Sequence, residues 1–250
     1  MVMFLTILFC LLWVLLGIVG LLFAYFIFVF INSLFVNTKK EYDRESKYYR
    51  FLLNSSTFIM TKLLRIKLHV KGAELLPKGR YLLVSNHRSN FDPILTWLVF
   101  NDCQLTFISK PSNFKVPIFG RIIHRLCFMA IDRENPRNAV KTINRAVDLI
   151  ERDVATVAVY PEGTRNREEG LLPFHNAIFK IAQKAHVPVA VMTVRGTYDI
   201  RKNYPLHRSH VYIDVVKVIG ADEVKAQKTA ALGDAVRDIM LENLYGGEQK

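Results

Sequence analysis

Nine residues between two apolar runs, Ser85-Asn86-His87-Arg88-Ser89-Asn90-Phe91-Asp92-Pro93, hold an imidazole and a carboxylate five positions apart. Folded back across such a loop, an aspartate can orient a histidine, set its tautomer and raise its basicity, leaving the second ring nitrogen to take a proton from a hydroxyl. Asp92 before Pro93 and an apolar helical run also reads as a helix N-cap with proline in the first turn, so on these residues alone both roles stay open. A second group, Lys110 with Pro111, Lys115, Pro117 and Gly120, opens a stretch to Arg145 that holds eight basic residues against Asp132 and Glu134. Such a concentration of cations suits an anionic substrate or an anionic bilayer surface, although Lys141 and Arg145 fit a solvated helix face as well. A third group, Tyr160-Pro161-Glu162-Gly163-Thr164-Arg165, combines a rigid turn, a glycine that lets backbone approach a ligand and a guanidinium able to grip phosphate through paired hydrogen bonds. Glu162 is either part of that site or a turn residue accepting from local amides.

Chemistry at these positions needs strand ends to hold it. Apolar, β-rich runs at 66–70, 81–85, 105–109, 127–131, 156–160, 187–194 and 211–218 alternate with helical patterns. The clearest helix, 136–152, places Ala139, Val140, Ile143, Ala146, Val147 and Ile150 on one stripe, with Pro136 suited to its first turn. Residues 177–185 and 222–244 are the other helical segments. Alternating strands and helices predict an α/β domain with a largely parallel sheet flanked by helices. Ligands of such sheets sit beyond the carboxyl ends of the strands, which directs attention to the loops after Ser85, Ser109, Ile131 and Tyr160.

The chain is both apolar and basic, with 51% hydrophobic residues and a formal net charge of +12. The two excesses occupy different segments. Residues 1–38 carry no charged side chain, and only Thr6, Gly17, Gly20, Asn32 and Ser33 interrupt the apolar set up to Val36. As one helix this run reaches about 54 Å, well beyond a hydrocarbon core of about 30 Å, so a membrane anchor here is expected to tilt, bend or re-enter, with Gly17 and Gly20 offering a bend. A cleaved signal peptide fits poorly, because no basic n-region precedes the run and no small-x-small site follows it. Lys39, Lys40, Arg44, Lys47 and Arg50 come next. By the positive-inside rule they put the rest of the chain on the cytoplasmic face. Residues 39–64 read as a basic amphipathic helix, lying on the membrane or packed on the core, ahead of a catalytic domain at 65–250. Cys10, Cys103 and Cys127 show no CxxC or zinc-like spacing, so neither a disulfide nor a metal site is expected. No GxSxG, GxGxxG, Walker A or HExxH pattern occurs, which weighs against serine hydrolases, dinucleotide enzymes, P-loop NTPases and zincins.

With Val187-Pro188-Val189 added, these groups resemble the ordered blocks of the glycerolipid acyltransferase family: Asn-His-x4-Asp, a lysine block ending in Pro-x-x-Gly, Phe/Tyr-Pro-Glu-Gly-Thr-Arg, and Val-Pro-Val. The match runs from Ser85 to Ala190, and Ile131-Asp132-Arg133 resembles a further recurring element. Tyr160 stands where phenylalanine is commoner, a change that keeps the ring. The resemblance implies transfer of a fatty acyl group from acyl-CoA or acyl carrier protein to the sn-2 hydroxyl of 1-acylglycerol 3-phosphate, giving phosphatidic acid. His87 and Asp92 would be the catalytic pair, with no acyl-enzyme. Lys110 and Arg165 would bind the acceptor phosphate with help from Arg133, while Glu162, Gly163 and Thr164 would shape the acceptor end, a backbone amide near Gly163 serving the oxyanion. Membrane lipids are the implied partners, with no cofactor and no nucleic acid. Another lysophospholipid or glycerol 3-phosphate as acceptor, or hydrolysis of a lipid or thioester by the same pair, are the alternatives.

Overall fold

The computed structural model describes residues 1–132 and 135–246. Among the described residues, seven strands form one sheet in the order β1-β7-β6-β2-β5-β3-β4. They are β1 (Ile66–Lys71), β2 (Leu82–Ser85), β3 (Leu105–Ser109), β4 (Met129–Ala130), β5 (Thr156–Val159), β6 (Val189–Arg195) and β7 (Ser209–Ile219). All neighbours run parallel except β6 and β7. Every strand lies where an apolar run predicts it, but β4 is cut to two residues. Cys127, at the start of the expected strand, takes φ 61°, a turn conformation that keeps it out of the ladder.

Alternate strand residues serve two cores, because side chains of a strand point to opposite faces. Leu82, Val84, Val157, Val159, Val189 and Val191 join the face covered by α5 (Pro136–Glu151), α6 (Lys180–Ala185), α8 (Ala221–Ala226) and α9 (Thr229–Tyr245). Leu83, Ala158, Ala190, Met192 and Val194 join the other, under α2 (Lys47–Leu63), α3 (Phe91–Val99), α4 (Phe119–Arg125) and α7 (Ile200–Asn203). The single helix expected at 222–244 is two, since Gln227 and Lys228 between α8 and α9 are extended.

The apolar run forms one continuous helix, α1 (Val2–Leu34), long and apolar enough to cross a membrane, with Gly17 and Gly20 inside it. Its C-terminal part docks on the rest of the chain. Residues 1–21 are all exposed, whereas Leu22, Tyr25, Val29, Asn32 and Ser33 are partly or wholly covered. The Tyr25 hydroxyl meets Ser55 Oγ at 2.7 Å and Ser56 Oγ at 3.0 Å, and Tyr48 and Tyr49 donate to the Asn32 side-chain and backbone oxygens at 2.7 and 2.9 Å. Those contacts step back along α2 as α1 advances, so the two helices are antiparallel.

Residues 39–46 do not belong to the expected amphipathic helix, which starts at Lys47 behind the N-cap Ser46. They are drawn instead into a strap across α4 and α5. His124 Nε2 donates to Lys40 O at 2.8 Å, Arg125 to Arg44 O at 2.8 Å and Arg145 to Tyr42 O at 2.6 Å. Arg145 also pairs with Glu41 and Arg152 with Asp43, while the Arg125 guanidinium lies 4.5 Å from the centre of the Tyr42 ring. Two cations of the basic stretch are thus committed to holding backbone.

Candidate active site

The loops after β2 and β5 emerge side by side, because those strands are neighbours in the sheet. Asn86 is buried and clamps the first loop to β6, its amide donating to Val194 O at 3.0 Å and its oxygen accepting from Val194 N at 2.7 Å. His87 then bridges to the second loop through its backbone, its N–H donating to Glu162 Oε1 at 2.7 Å and its carbonyl accepting from Asn166 N at 2.8 Å. Its ring stacks on Tyr160, with centroids 4.4 Å apart and 24° between planes. Backbone and ring are therefore both held before any substrate arrives.

Asp92 completes the arrangement. Its Oδ2 lies 2.8 Å from His87 Nδ1 and also accepts from Arg88 N at 2.6 Å and Ser89 N at 2.7 Å; its Oδ1 accepts from Thr197 Oγ1 at 2.5 Å. The carboxyl group is fully buried and surrounded by donors, so Oδ2 accepts from the His87 ring as it does from the two amides. Nδ1 then carries the proton, and Nε2 is the nitrogen left for the cavity that His87 lines. The helix-cap reading of Asp92 gives way here. The N-cap of α3 is Asn90, Asp92 sits inside the first turn, and the amides it accepts from lie ahead of the helix.

The cavity, of about 410 Å³, is lined by two chemically different sets of residues. Exposed Lys110, Thr164 and Arg165 mark its mouth, with His87 and Gly163 in the same lining. Among the described residues, neither Lys110 nor Arg165 is in an ion pair. Its apolar lining, the throat, is Ile94, Phe107, Phe119, Ile123 and Phe128, with Val116 exposed beside them. Beyond Pro93, Ile94, Phe119 and Phe128 a small gap continues to Leu53 and Thr57 of α2.

Two of the expected roles look different in three dimensions. Glu162 is 2% exposed and lies behind the cavity wall, its Oε2 accepting from Leu172 N at 3.0 Å while Oε1 takes the His87 amide. Its carboxylate faces the backbones of His87 and Leu172 rather than the cavity. Gly163 has φ 72° and its N–H donates to Tyr160 O at 2.9 Å, so that amide is spent in the turn and not free for an oxyanion. Arg133 lies outside the described residues. Thr197 stands in no block with a recognisable spacing, and the bond of Asn166, which closes the third block's loop, to the His87 carbonyl has no sequence signal.

Burial raises the Glu162 carboxyl above its ordinary value of 4.5, opposed by the N–H groups of Leu172 and His87. The folded chain then binds this proton more readily than the unfolded chain, so the contribution is present below pH 4.5 and is lost as pH rises through the folded value. Glu162→Gln is expected to remove that fall. It should also cost about 1–3 kcal/mol, because one of the two buried N–H groups loses its acceptor oxygen. Thermal unfolding across pH checks both, and an unchanged midpoint would show that the two amides do not depend on the carboxylate.

Comparison with known proteins agrees with this architecture. The sequence model described as Acyltransferase matches residues 67–195, just over half of the chain. The chain is 27% identical over 191 residues to the 1-acyl-sn-glycerol-3-phosphate acyltransferase of Saccharomyces cerevisiae, covering 74% of this chain and 62% of that protein. It is 28% identical over 162 residues to the Escherichia coli protein of the same name, covering 65% and 66%. A chloroplastic relative from Brassica napus, BAT2, is 35% identical over 136 residues, 54% of this chain and 39% of that one. The chain therefore spans less than two thirds of the length of each of these curated relatives. The crystal structure of the 1-acyl-sn-glycerophosphate (LPA) acyltransferase PlsC from Thermotoga maritima superposes with a TM-score of 0.68 at 22% identity, over 90% of this chain and 89% of that one, and shows the shared fold. With its blocks, its fold and more than half its length matched, the chain belongs to the Acyltransferase family.

Proposed function

We propose that this protein moves a fatty acyl group from a thioester donor, acyl-CoA or acyl carrier protein, to the sn-2 hydroxyl of 1-acylglycerol 3-phosphate, giving phosphatidic acid. The supporting observation is the buried Asp92 behind His87 in a cavity lined by both cationic and apolar side chains. The named relatives act on that lysophospholipid, which supports the choice of acceptor.

In this reading His87 Nε2 takes the proton of the acceptor hydroxyl as its oxygen attacks the thioester carbonyl. The tetrahedral intermediate collapses, the C–S bond breaks, and the thiolate leaves with the proton returned by the imidazolium. Asp92 keeps Nδ1 protonated and stabilises the transient positive charge. Lys110 and Arg165 hold the phosphate, beside Gly163 and Thr164, and the throat takes an acyl chain. Arg133 is assigned to the phosphate by family resemblance. The α1 anchor keeps residues 65–250, the catalytic domain, beside its lipid substrates, on the cytoplasmic side by the cations that follow α1.

Purified protein in lipid, given a panel of acceptors and both donors, tests the assignment. Esterified lysophosphatidic acid is the expected product; release of free fatty acid at the same rate without an acceptor would replace transfer by hydrolysis. Arg165→Ala is expected to raise KM for lysophosphatidic acid by about ten- to one-hundred-fold, the scale of a lost charge-assisted hydrogen bond, with little change for neutral monoacylglycerol. Equal effects on both acceptors would make Arg165 structural.

A further inference from the structure

The docking of α1 decides which end of the sheet meets the bilayer. α2 leads into β1, whose first residues pair with Ser209 and His210 of β7, and β7 runs antiparallel to β6, so the C-terminus of α2 lies at the same end as the C-terminus of β6. That is the end that carries Asn86, Thr197 and Asp92. Since α1 is antiparallel to α2, its undocked N-terminal part projects from this end too. The stretch from Val2 to the docking tyrosine, Tyr25, is about 34 Å of helix, close to the ~30 Å of a hydrocarbon core.

The loop between β6 and β7 stands at the same end and has an unusual surface. Ile200 is fully buried and pegs α7 into the core that α2 covers. Arg65, just past α2, donates to Pro205 O at 3.1 Å and Leu206 O at 3.0 Å. Held by these contacts, Leu206 is 76% exposed, with Tyr198 and Tyr204 exposed beside it in the loop and Phe58 and Leu63 on the adjoining end of α2. The same two segments, 56–67 and 196–210, carry exposed Lys62, Arg65, Lys67, Arg201, Lys202 and Arg208, against Asp199 as their acid. Lys62 Nζ rests 5.2 Å from the centre of the Phe58 ring. Tyrosines and a leucine ringed by cations are the composition of a surface that sits in the headgroup layer of an anionic leaflet.

We propose that the 198–208 loop and the last turns of α2 form a second membrane contact, with Leu206 and Tyr204 entering the boundary between headgroups and acyl chains. The contact begins one residue from Thr197, whose hydroxyl holds Asp92. The domain thus rests on the leaflet with its catalytic end down, and a lipid acceptor reaches the cavity by lateral movement. The proposal stands on the placement of α1 in a bilayer and not on the identity of the reaction.

The test uses the full chain in nanodiscs of phosphatidylcholine and phosphatidylglycerol, with Leu206→Trp introduced into a Trp13→Phe background and the buried Trp97 as baseline. Strong quenching by lipids brominated near the headgroup, with little quenching by aqueous iodide, is expected. The opposite pattern overturns the contact, as does a new tryptophan shielded from iodide only when an acidic carrier protein is added. In a second arm, Tyr204→Asp with Leu206→Asp should raise KM at least five-fold for a long-chain acceptor in the bilayer, leaving KM for a short-chain, water-soluble acceptor unchanged. Equal changes for the two acceptors would also overturn it. Because quenching needs no turnover, failure of this contact and failure of the acyl-transfer reading are separable.

Discussion

His87→Ala is expected to lower kcat about a thousand-fold or more, the range for removal of a positioned general base. The substitution also removes the ring that stacks on Tyr160 and the donor at 2.8 Å from Asp92, so some thermal stability is lost with it. The fold should survive, because the backbone bonds of His87 to Glu162 and Asn166 do not depend on its side chain. Purified variant that unfolds cooperatively, still binds acceptor and turns over at background is the expected picture. A variant with wild-type rates would remove His87 from the chemistry altogether. Among the described residues no side chain stands ready to replace it: Lys110 and Arg165 of the cavity lining are basic, and Cys127 is buried with its thiol raised to about 11 by that burial.

Asp92→Asn is expected to lower kcat by about 10²–10⁴-fold with a small effect on KM for acceptor, by analogy with the loss of an ionised orienting carboxylate. Asparagine fits the space, and its oxygen can still accept where Oδ2 does now. The Thr197 hydroxyl can turn to accept from the new amide. What disappears is the negative charge that steadies the imidazolium while the proton is on Nε2. The loss should therefore appear in turnover, and steady-state kinetics beside a thermal melt separates this from a structural role. A melt lowered by several degrees with kcat intact would assign Asp92 to loop closure alone. Asp92→Ala is the harsher change, since it strips the acceptor from two loop amides and the Thr197 hydroxyl together.

The strands are readable from sequence because their environment is simple. β2 and β5 are buried along their whole length, so they appear as unbroken apolar runs bounded by polar loops. The pairing of His87 with Asp92 is readable too, because the two share one loop and their five-residue spacing survives in the folded chain as a 2.8 Å contact. What escapes comes from far away in the sequence. Thr197 reaches Asp92 across 105 positions, and the strap is held by His124, Arg125, Arg145 and Arg152 across 81 to 109. Residues 39–46 look like the start of a helix because charge and helical propensity are local properties, whereas the carbonyls that keep them out of it are claimed by distant arginines. The same charges, read as a count, overstate what is free to meet an anion. Glu162 was ambiguous for the converse reason: its motif position says nothing about which way the carboxylate turns.

The backbone stitches between the two loops have a stereochemical consequence. His87 is bonded on one side to Glu162 and on the other to Asn166, the residues that bracket Gly163, Thr164 and Arg165. The backbone of His87 and that of the turn carrying Arg165 are therefore held at a fixed span. If the phosphate is gripped at one end of that span, only a hydroxyl at the matching distance along the glycerol backbone reaches Nε2. Regiochemistry would then be measured outward from the phosphate and would stay the same whatever the length of the acyl chain in the throat.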